Sequence, residues 1–531
     1  LPRHEYQRFP YRTPPELAGG GKSGAPFVIV GAGPVGLAAA IDCALHEIPC
    51  IVLDDNDVVS LGSRAICWSK RTLEIFDRLG VGERMVEKGI IWKVGRLFHR
   101  DREVWNFDLL PEAGHKMPAF INLQQYHVEQ YLVERCGDFP NLIDLRWKNR
   151  VVGVTPRTDG VSVMIDTPDG DYTLDAQWLL ACDGARSSVR GMLGLDFEGR
   201  IFEERFLIAD VEMKAEFPAE RWFWFEPPFH KGQSALLHKQ PDNIYRIDLQ
   251  LGWDADPEEE KKPENVVPRI ERVIGHDNFE LDWVSVYTFQ CRRLDRFVHG
   301  RIVFAGDSAH VVSPFGARGG NGGIQDVDNL VWKLAMVVRG DAPERLIETY
   351  NEERVHGADE NILNSSRATS FMSPKTEMER LLRDSVLDLA AEHEFARKLV
   401  NSGRLSRPCE LSAYSLQTPS EVSKVRPGAA MNDAPVGEGD WLLDHVGGDF
   451  TALAIDAVLP ELPAGVRGLR VISDRSLANG NDWLFDTDGI VGARYGVGTI
   501  YLVRPDQHIA ACCADGEELA AAFARATGRA I

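Results

Sequence analysis

The stretch GDSAHVVSPFGARGGNGGIQDVDNLVWKL, Gly306 to Leu334, follows the apolar run RIVFA and sets an acid, a Pro/Gly-rich loop and a helix start in immediate succession. Asp307, at the end of a strand, is placed to accept hydrogen bonds from a ribityl chain. Gly316, Gly319, Gly320, Gly322 and Gly323 let backbone N–H groups approach an anion or a ring edge with no Cβ in the way. Together with GAGPVG, Gly31 to Gly36, this pattern points to FAD rather than NAD as the tightly held cofactor.

Working outward, APFVIVGAGPVGLAAAIDCALHEIPCIVLDD reads as strand, glycine turn, small-residue helix and second strand, one βαβ unit. Asp54 closes its second strand 23 residues after Gly31, where a carboxylate binds a ribose hydroxyl. The segment from Ser69 to Lys88 has helical spacing with a Gly break, and Tyr126–Cys136 reads as another helix. Alternation in VVGVTP, VSVMIDTP and YTLDAQWLLACDG predicts an antiparallel meander that ends at Asp183. Residues 195–290 are rich in Trp, Phe, Tyr and alternating polar positions, which predicts a mostly β second domain over the cofactor. Polar helical segments run to about residue 424, and RPGAAMNDAPVGEGD marks a boundary before a small α/β unit.

The fold class is therefore α/β, α+β overall: an N-terminal extension over 1–25, a Rossmann-like FAD-binding domain over 26–190 and 295–370, a β-rich substrate domain over 191–294, a helical connection over 371–424, and a C-terminal domain over 425–531. The extension is expected to drape over the surface or to be disordered.

At 531 residues and 44% hydrophobic content the chain has ample material for two or three cores. A net charge of -21 argues against nucleic acid as a partner, because a phosphate backbone needs a basic face. Nine scattered cysteines without CxxC suggest neither a zinc site nor a disulfide framework, so no metal is expected and a reducing cytoplasm fits. No run approaches 18 apolar residues, and the N-terminus lacks an apolar signal core, so a membrane span and a signal peptide are not expected.

Three separated motifs, GAGPVG with Asp54, DGARSSVR from Asp183 to Arg190, and GDSAHVVSPFGARGGN from Gly306 to Asn321, share one order and spacing. In this the chain resembles the single-component FAD-dependent aromatic hydroxylases, the p-hydroxybenzoate hydroxylase-like flavoprotein monooxygenases. SRAICWSKRTLEIFDRLG and the C-terminal extension are most similar to the phenol and 3-(3-hydroxyphenyl)propionate hydroxylase branch, whose added domain is thioredoxin-like. The resemblance implies that Gly31, Gly33, Pro34 and Gly36 bring the pyrophosphate to the first helix, that Asp54 holds the adenosine ribose, and that Arg64 lies beside ribose and phosphates. Gln125 would contact the middle of FAD. Asp183 and Gly184 would serve flavin and nicotinamide, and Gly306 and Asp307 the ribityl chain. Pro314, Gly316, Gly319, Gly320 and Asn321 would border the isoalloxazine ring. Asp55 stands where the family usually has a basic residue, which puts the local adenosine contacts in doubt, and the C-terminal domain without CxxC should lack dithiol activity.

The implied reaction is hydroxylation of a phenolic or related aromatic substrate with NADH or NADPH and O2, through a flavin C4a-hydroperoxide, by a cytoplasmic enzyme that forms a homodimer in the family pattern. Its ring must be activated by a group that stabilises phenolate. Tyr245, His238, Tyr287 and Arg292 are the candidates, each with a structural role in a sheet as the competing reading. RWFWF, Arg221 to Phe225, reads as core and pocket wall. His310 is expected to structure its turn. Arg318 either faces solvent or contacts nicotinamide or substrate. The alternatives are a flavin-dependent halogenase or epoxidase, and a hydride-transfer oxidoreductase of the same fold.

Overall fold

The computed structural model describes residues 4–19, 24–62, 64–400, 406–421, 423–478 and 483–530. Residues 1–3 and 20–23 of the extension and 401–405 of the connecting stretch lie outside these ranges.

Strand Gly24–Val30 carries the run FVIV, buried throughout, as expected of a parallel strand covered on both faces. It pairs in parallel with Cys50–Asp54 on one side and Gly170–Ala181 on the other. Ile143–Trp147 and Ile302–Phe304 extend this parallel core at its two ends. Helix Pro34–Leu45 connects the first two strands, and its Ala38, Ala39 and Ala40 are fully buried. Strands Arg150–Pro156 and Val161–Thr167 form the expected meander with Gly170–Ala181.

The second sheet has eight strands: His310–Val311, Glu280–Arg293, Glu198–Glu212, Ile244–Leu251, Ser234–Lys239, Arg221–Phe225, Val94–His99 and Arg102–Asp108 in spatial order. The last two form a hairpin from within the 26–190 stretch, and Val94–His99 joins Arg221–Phe225 in parallel. The chain boundary at 191 therefore does not divide this sheet from the first. One face of the sheet packs Leu207, Ala209, Ile247 and Leu249 on helix Pro263–Ile274. The other face turns toward the glycine loop.

From Ser69 to Lys88 the chain forms helices Lys70–Arg78 and Gly82–Lys88, broken at Gly80 in the left-handed region. Helix Gly319–Arg339 is followed by Arg345–Met372 and by Glu377–Glu392, the last begun by a Thr376/Glu379 capping box. Among the described residues, the expected helical character does not extend past Arg397: 398–400 and 406–421 carry turns and no helix.

Phe450–Ile455 is central to a five-stranded mixed sheet near the C-terminus, and helix Gly516–Ala526 covers it with Leu519, Ala522 and Phe523. Trp332 and Leu346 belong to the same apolar cluster, so this unit shares a core with helices Gly319–Arg339 and Arg345–Met372. Residues 4–19 run across the surface, where Phe9 stacks on Trp147 and Tyr11 bonds Thr167.

Candidate active site

Helix Pro34–Leu45 begins at Gly33 without a side-chain cap, which leaves its first N–H groups to an outside acceptor. Gly31 sits at φ +104°, and a Cβ there would lie 2.5 Å from the Cys182 carbonyl oxygen. At Gly36 a Cβ would lie 1.9 Å from the Gly31 oxygen, so helix and turn approach only because both are glycine. In front of Gly33 a Cβ meets nothing within 4 Å. Asp54 accepts the Ala32 N–H at 2.7 Å and the Asn56 N–H at 2.9 Å, which fixes the turn to the second strand. Burial raises its carboxyl above the ordinary range, against these bonds.

Asp183 caps helix Ser188–Met192 through the Val189 N–H at 3.1 Å, while its Oδ1 is buried without a partner. Gly184 follows at φ +77° with open space beside it. Arg190 joins this turn to the glycine loop by donating to the Ser308 carbonyl at 3.0 Å.

Gly306–Ser308 forms a 3-10 turn, and Asp307 keeps an exposed side chain with no hydrogen bond to any described residue. The protein around it withdraws enough water to raise its carboxyl, while His310 and Arg64 pull the other way. Helix Gly319–Arg339 also begins without a side-chain cap, and a Cβ on Gly319 would be 3.9 Å from Asp307 Oδ1. Gly316 stands at φ +94° in the loop before it, beside exposed Pro314.

Several expected contacts are used otherwise. Asn321 accepts the Ser69 N–H at 2.9 Å and donates to the Cys67 and Ala317 carbonyls, so its side chain staples the loop to the strand rather than facing a ring. Gln125 accepts the Ala65 N–H at 3.1 Å and donates to Glu129 at 2.7 Å. Glu129 is fully buried, and burial lifts its carboxyl to about 7 despite bonds from Gln125 and Ser60. His310 bonds Asp326 at 2.7 Å and stacks on Phe297, as expected for a turn-forming histidine. Arg318 turns inward to Asn361 at 2.9 Å, which removes the solvent-facing alternative.

The four catalytic candidates separate. Tyr245 lies on the far face, in the core against helix Pro263–Ile274, and donates to the Ala215 carbonyl at 2.8 Å. Arg292 is spent on the Phe197 carbonyl at 2.8 Å. Tyr287 stands on the near face, without a hydrogen bond among the described residues. Burial pushes its hydroxyl up to about 12, with Asp307 adding to the rise and Arg64 opposing it. His238 faces the same side, its Nδ1 4.0 Å from Cys67 Sγ.

Strand pairing orders that near face. Trp283, Asp210, Arg246, His238 and Arg221 form one cross-strand row, and Ser285, Ile208, Asp248, Leu236 and Phe223 the next. Phe206, Phe223, Phe289 and Phe315 pack as an apolar wall beside them. Arg246 grips Asp210 at 2.8 and 2.7 Å. Asp248 has its Oδ1 buried without a partner, and burial raises its carboxyl to about 7 in spite of Arg246 and Arg221. Arg221, Arg246 and Asp248 belong to no cofactor motif, although the charged positions alternating through IYRIDLQL signal a polar face opposite the core.

The match to known proteins decides the assignment. Residues 25–365 match the family model described as FAD binding domain. The chain belongs to this FAD-binding family. A flavin-dependent monooxygenase of Mycobacteroides abscessus is 34% identical over 62% of this chain and 70% of its own length. A 3-(3-hydroxy-phenyl)propionate/3-hydroxycinnamic acid hydroxylase of Mycolicibacterium gilvum is 27% identical over 92% of this chain and 88% of its own. The structure of the flavin-dependent monooxygenase PieE, solved with FAD and substrate, superimposes with a TM-score of 0.79 at 21% identity, covering 96% of this chain and 99% of that one. This flavoprotein is thus a flavin-dependent monooxygenase with a Rossmann-like FAD-binding fold. The residues present fit FAD: two uncapped helix starts, the buried Asp183 oxygen without a partner among the described residues, the Asp307 carboxylate without one, and the open front of Gly33 lie on adjoining turns.

Proposed function

We propose that the flavoprotein uses NADH or NADPH and O2 to hydroxylate a phenolic substrate held between the glycine loop and the near face of the second sheet. The observation that carries this reading is the near face itself, where Tyr287 has no hydrogen bond among the described residues and Phe206 and Phe289 beside it pack on Phe315 of the glycine loop. Bound FAD supplies the redox and oxygen-transfer chemistry.

The protein's own residues supply position, dryness and proton handling. The N–H groups at the start of helix Pro34–Leu45 would hold the pyrophosphate, Asp54 the adenosine ribose, and Asp307 the ribityl hydroxyls. Uncapped N–H groups at Gly319 and Gly320 favour negative charge on the nearest ring edge. The four phenylalanines exclude water from the reacting centre. Asp248, raised to about 7, is matched to accept a phenolic proton near neutral pH, and its Oδ1 has no other occupation. His238 is a poor base, because burial and two arginines hold it well below the ordinary histidine range.

We take the C-terminal unit to be a thioredoxin-like domain with a packing role, supported by its mixed sheet and its shared core with Trp332. The expected setting is a cytoplasmic homodimer. No helix of the described residues is long and apolar enough to cross a membrane. Hydroxylation is tested with isotopically labelled O2: one labelled atom in the product supports it, and an unlabelled oxidised product returns the hydride-transfer alternative.

A further inference from the structure

Residues 55–66 join the strand that ends at Asp54 to the strand that begins at Cys67, and the described ones among them form neither helix nor strand. A segment with no ladder of its own has its path fixed by bonds from outside. Glu129 accepts the Ser60 N–H at 2.6 Å and the Ser60 hydroxyl at 2.8 Å. Gln125 accepts the Ala65 N–H at 3.1 Å, and Arg246 donates to the Arg64 carbonyl at 3.3 Å. The N-terminal extension supplies further ties. The Tyr6 hydroxyl accepts the Gly62 N–H at 2.8 Å, the Phe9 N–H donates to the Asp57 carbonyl at 2.7 Å, and Arg8 grips the Asp57 carboxylate at 3.0 and 3.1 Å. Gly62 stands at φ +71°, and a Cβ there would lie 2.3 Å from the Trp283 indole nitrogen, so this one glycine meets both Tyr6 and the near face.

The extension has its own anchor. Tyr11 bonds Thr167 at 3.1 Å, Thr13 bonds Asp169 at 2.6 Å, and Glu16 pairs with Arg146 at 3.0 Å. Residues 11–16 are thereby fixed on the meander and on strand Ile143–Trp147, and residues 6–9 reach from that anchor to segment 55–66. The stretch that matches the FAD-binding family begins at residue 25, so Tyr6 and Arg8 lie outside it.

We infer that the N-terminal extension is part of the FAD site, with Tyr6 as the positioning residue that holds segment 55–66 in its cofactor-binding path before FAD arrives. This rests on the placement of FAD proposed above, with Asp54 at the adenosine ribose, and is independent of the substrate. A segment already ordered adds nothing to the cost of binding. Without the Tyr6 bond, part of the binding free energy of FAD goes into ordering it.

The test titrates the full-length apoprotein with FAD and follows the quenching of flavin fluorescence. Tyr6→Phe should bind FAD about 3- to 10-fold more weakly than wild type, the range for one hydrogen bond. Tyr11→Phe removes the comparable bond to Thr167 at the anchored end and should bind FAD as wild type does. Wild-type affinity in Tyr6→Phe overturns the inference. Equal losses in both variants overturn it too, because the extension would then act through overall stability alone. Asp54→Asn tests the placement separately. Unchanged affinity there, beside a loss in Tyr6→Phe, defeats the placement and upholds the role of the extension; the converse defeats the extension and leaves the placement standing. Should Tyr6→Phe fail to fold, hydrogen exchange on the wild-type protein decides: FAD should slow exchange in residues 4–9 together with 55–66 and leave 11–16 unchanged, and no slowing in 4–9 overturns the inference.

Discussion

Arg504 donates to both oxygens of Glu353, at 2.7 and 3.0 Å, with neither side chain exposed to solvent. Lys333 and Gln417 bind the same carboxylate at 2.8 and 3.0 Å, and Asp506 closes on Arg504. The turn between the last two strands of the C-terminal sheet is thereby locked to helix Arg345–Met372, which carries Glu353, and through Lys333 to helix Gly319–Arg339, which starts at the glycine loop.

Removing one partner of such a pair leaves an uncompensated buried charge. Arg504→Met should lower unfolding free energy by about 3–5 kcal/mol, measured by denaturant titration. The network also has a pH signature. Arg504 and Lys333 hold the Glu353 carboxyl well below its ordinary range, so its stabilisation is complete above about 4.5 and is lost as pH falls toward the folded value. Glu353→Gln should be less stable at neutral pH and should lose this acid-side decline.

Glu129 gives the opposite sign. Its folded carboxyl is raised to about 7, so its contribution is fully present below about 4.5 and is lost as pH rises through 7. The melting temperature of wild type should fall across that window, and Glu129→Gln should flatten the fall.

Asp307 has no hydrogen bond to any described residue, so its loss should spare the fold and cost the cofactor. Asp307→Ala should weaken FAD binding about 10- to 100-fold, read by flavin fluorescence after gel filtration, with secondary structure unchanged.

Two tyrosines separate site from scaffold. Tyr245→Phe breaks a bond to Ala215 in the far core and should cost about 1 kcal/mol of stability with turnover unchanged. Tyr287→Phe breaks no bond among the described residues, so stability should hold within about 0.5 kcal/mol while product yield per NADH falls.

The features legible in the sequence are those set by neighbouring residues. GAGPVG, Asp54 and the acid–glycine run at Asp307 are each a short piece of backbone whose geometry the residues themselves dictate. The near face is different. Arg221, His238, Arg246 and Asp210 meet only because four strands pair in one register, and a sequence reading cannot tell which parity faces the cofactor. Tyr245 and Arg246 are adjacent, and that single step separates core from site. The hairpin Val94–Asp108 is hidden for a similar reason, since its parallel partner is more than a hundred residues away. Asn321 stands in the loop where a ring contact is expected, but its side chain is spent on Cys67 and Ser69, a strand far upstream.

The most direct test of the central claim is NADH and NADPH oxidation by the FAD-loaded protein against a panel of substituted phenols, with hydroxylated product and H2O2 quantified together. A hydroxylase predicts at least one phenol that speeds oxidation and yields product in near-equal amount. If no phenol yields hydroxylated product, whatever the rate of oxidation, the claim is contradicted.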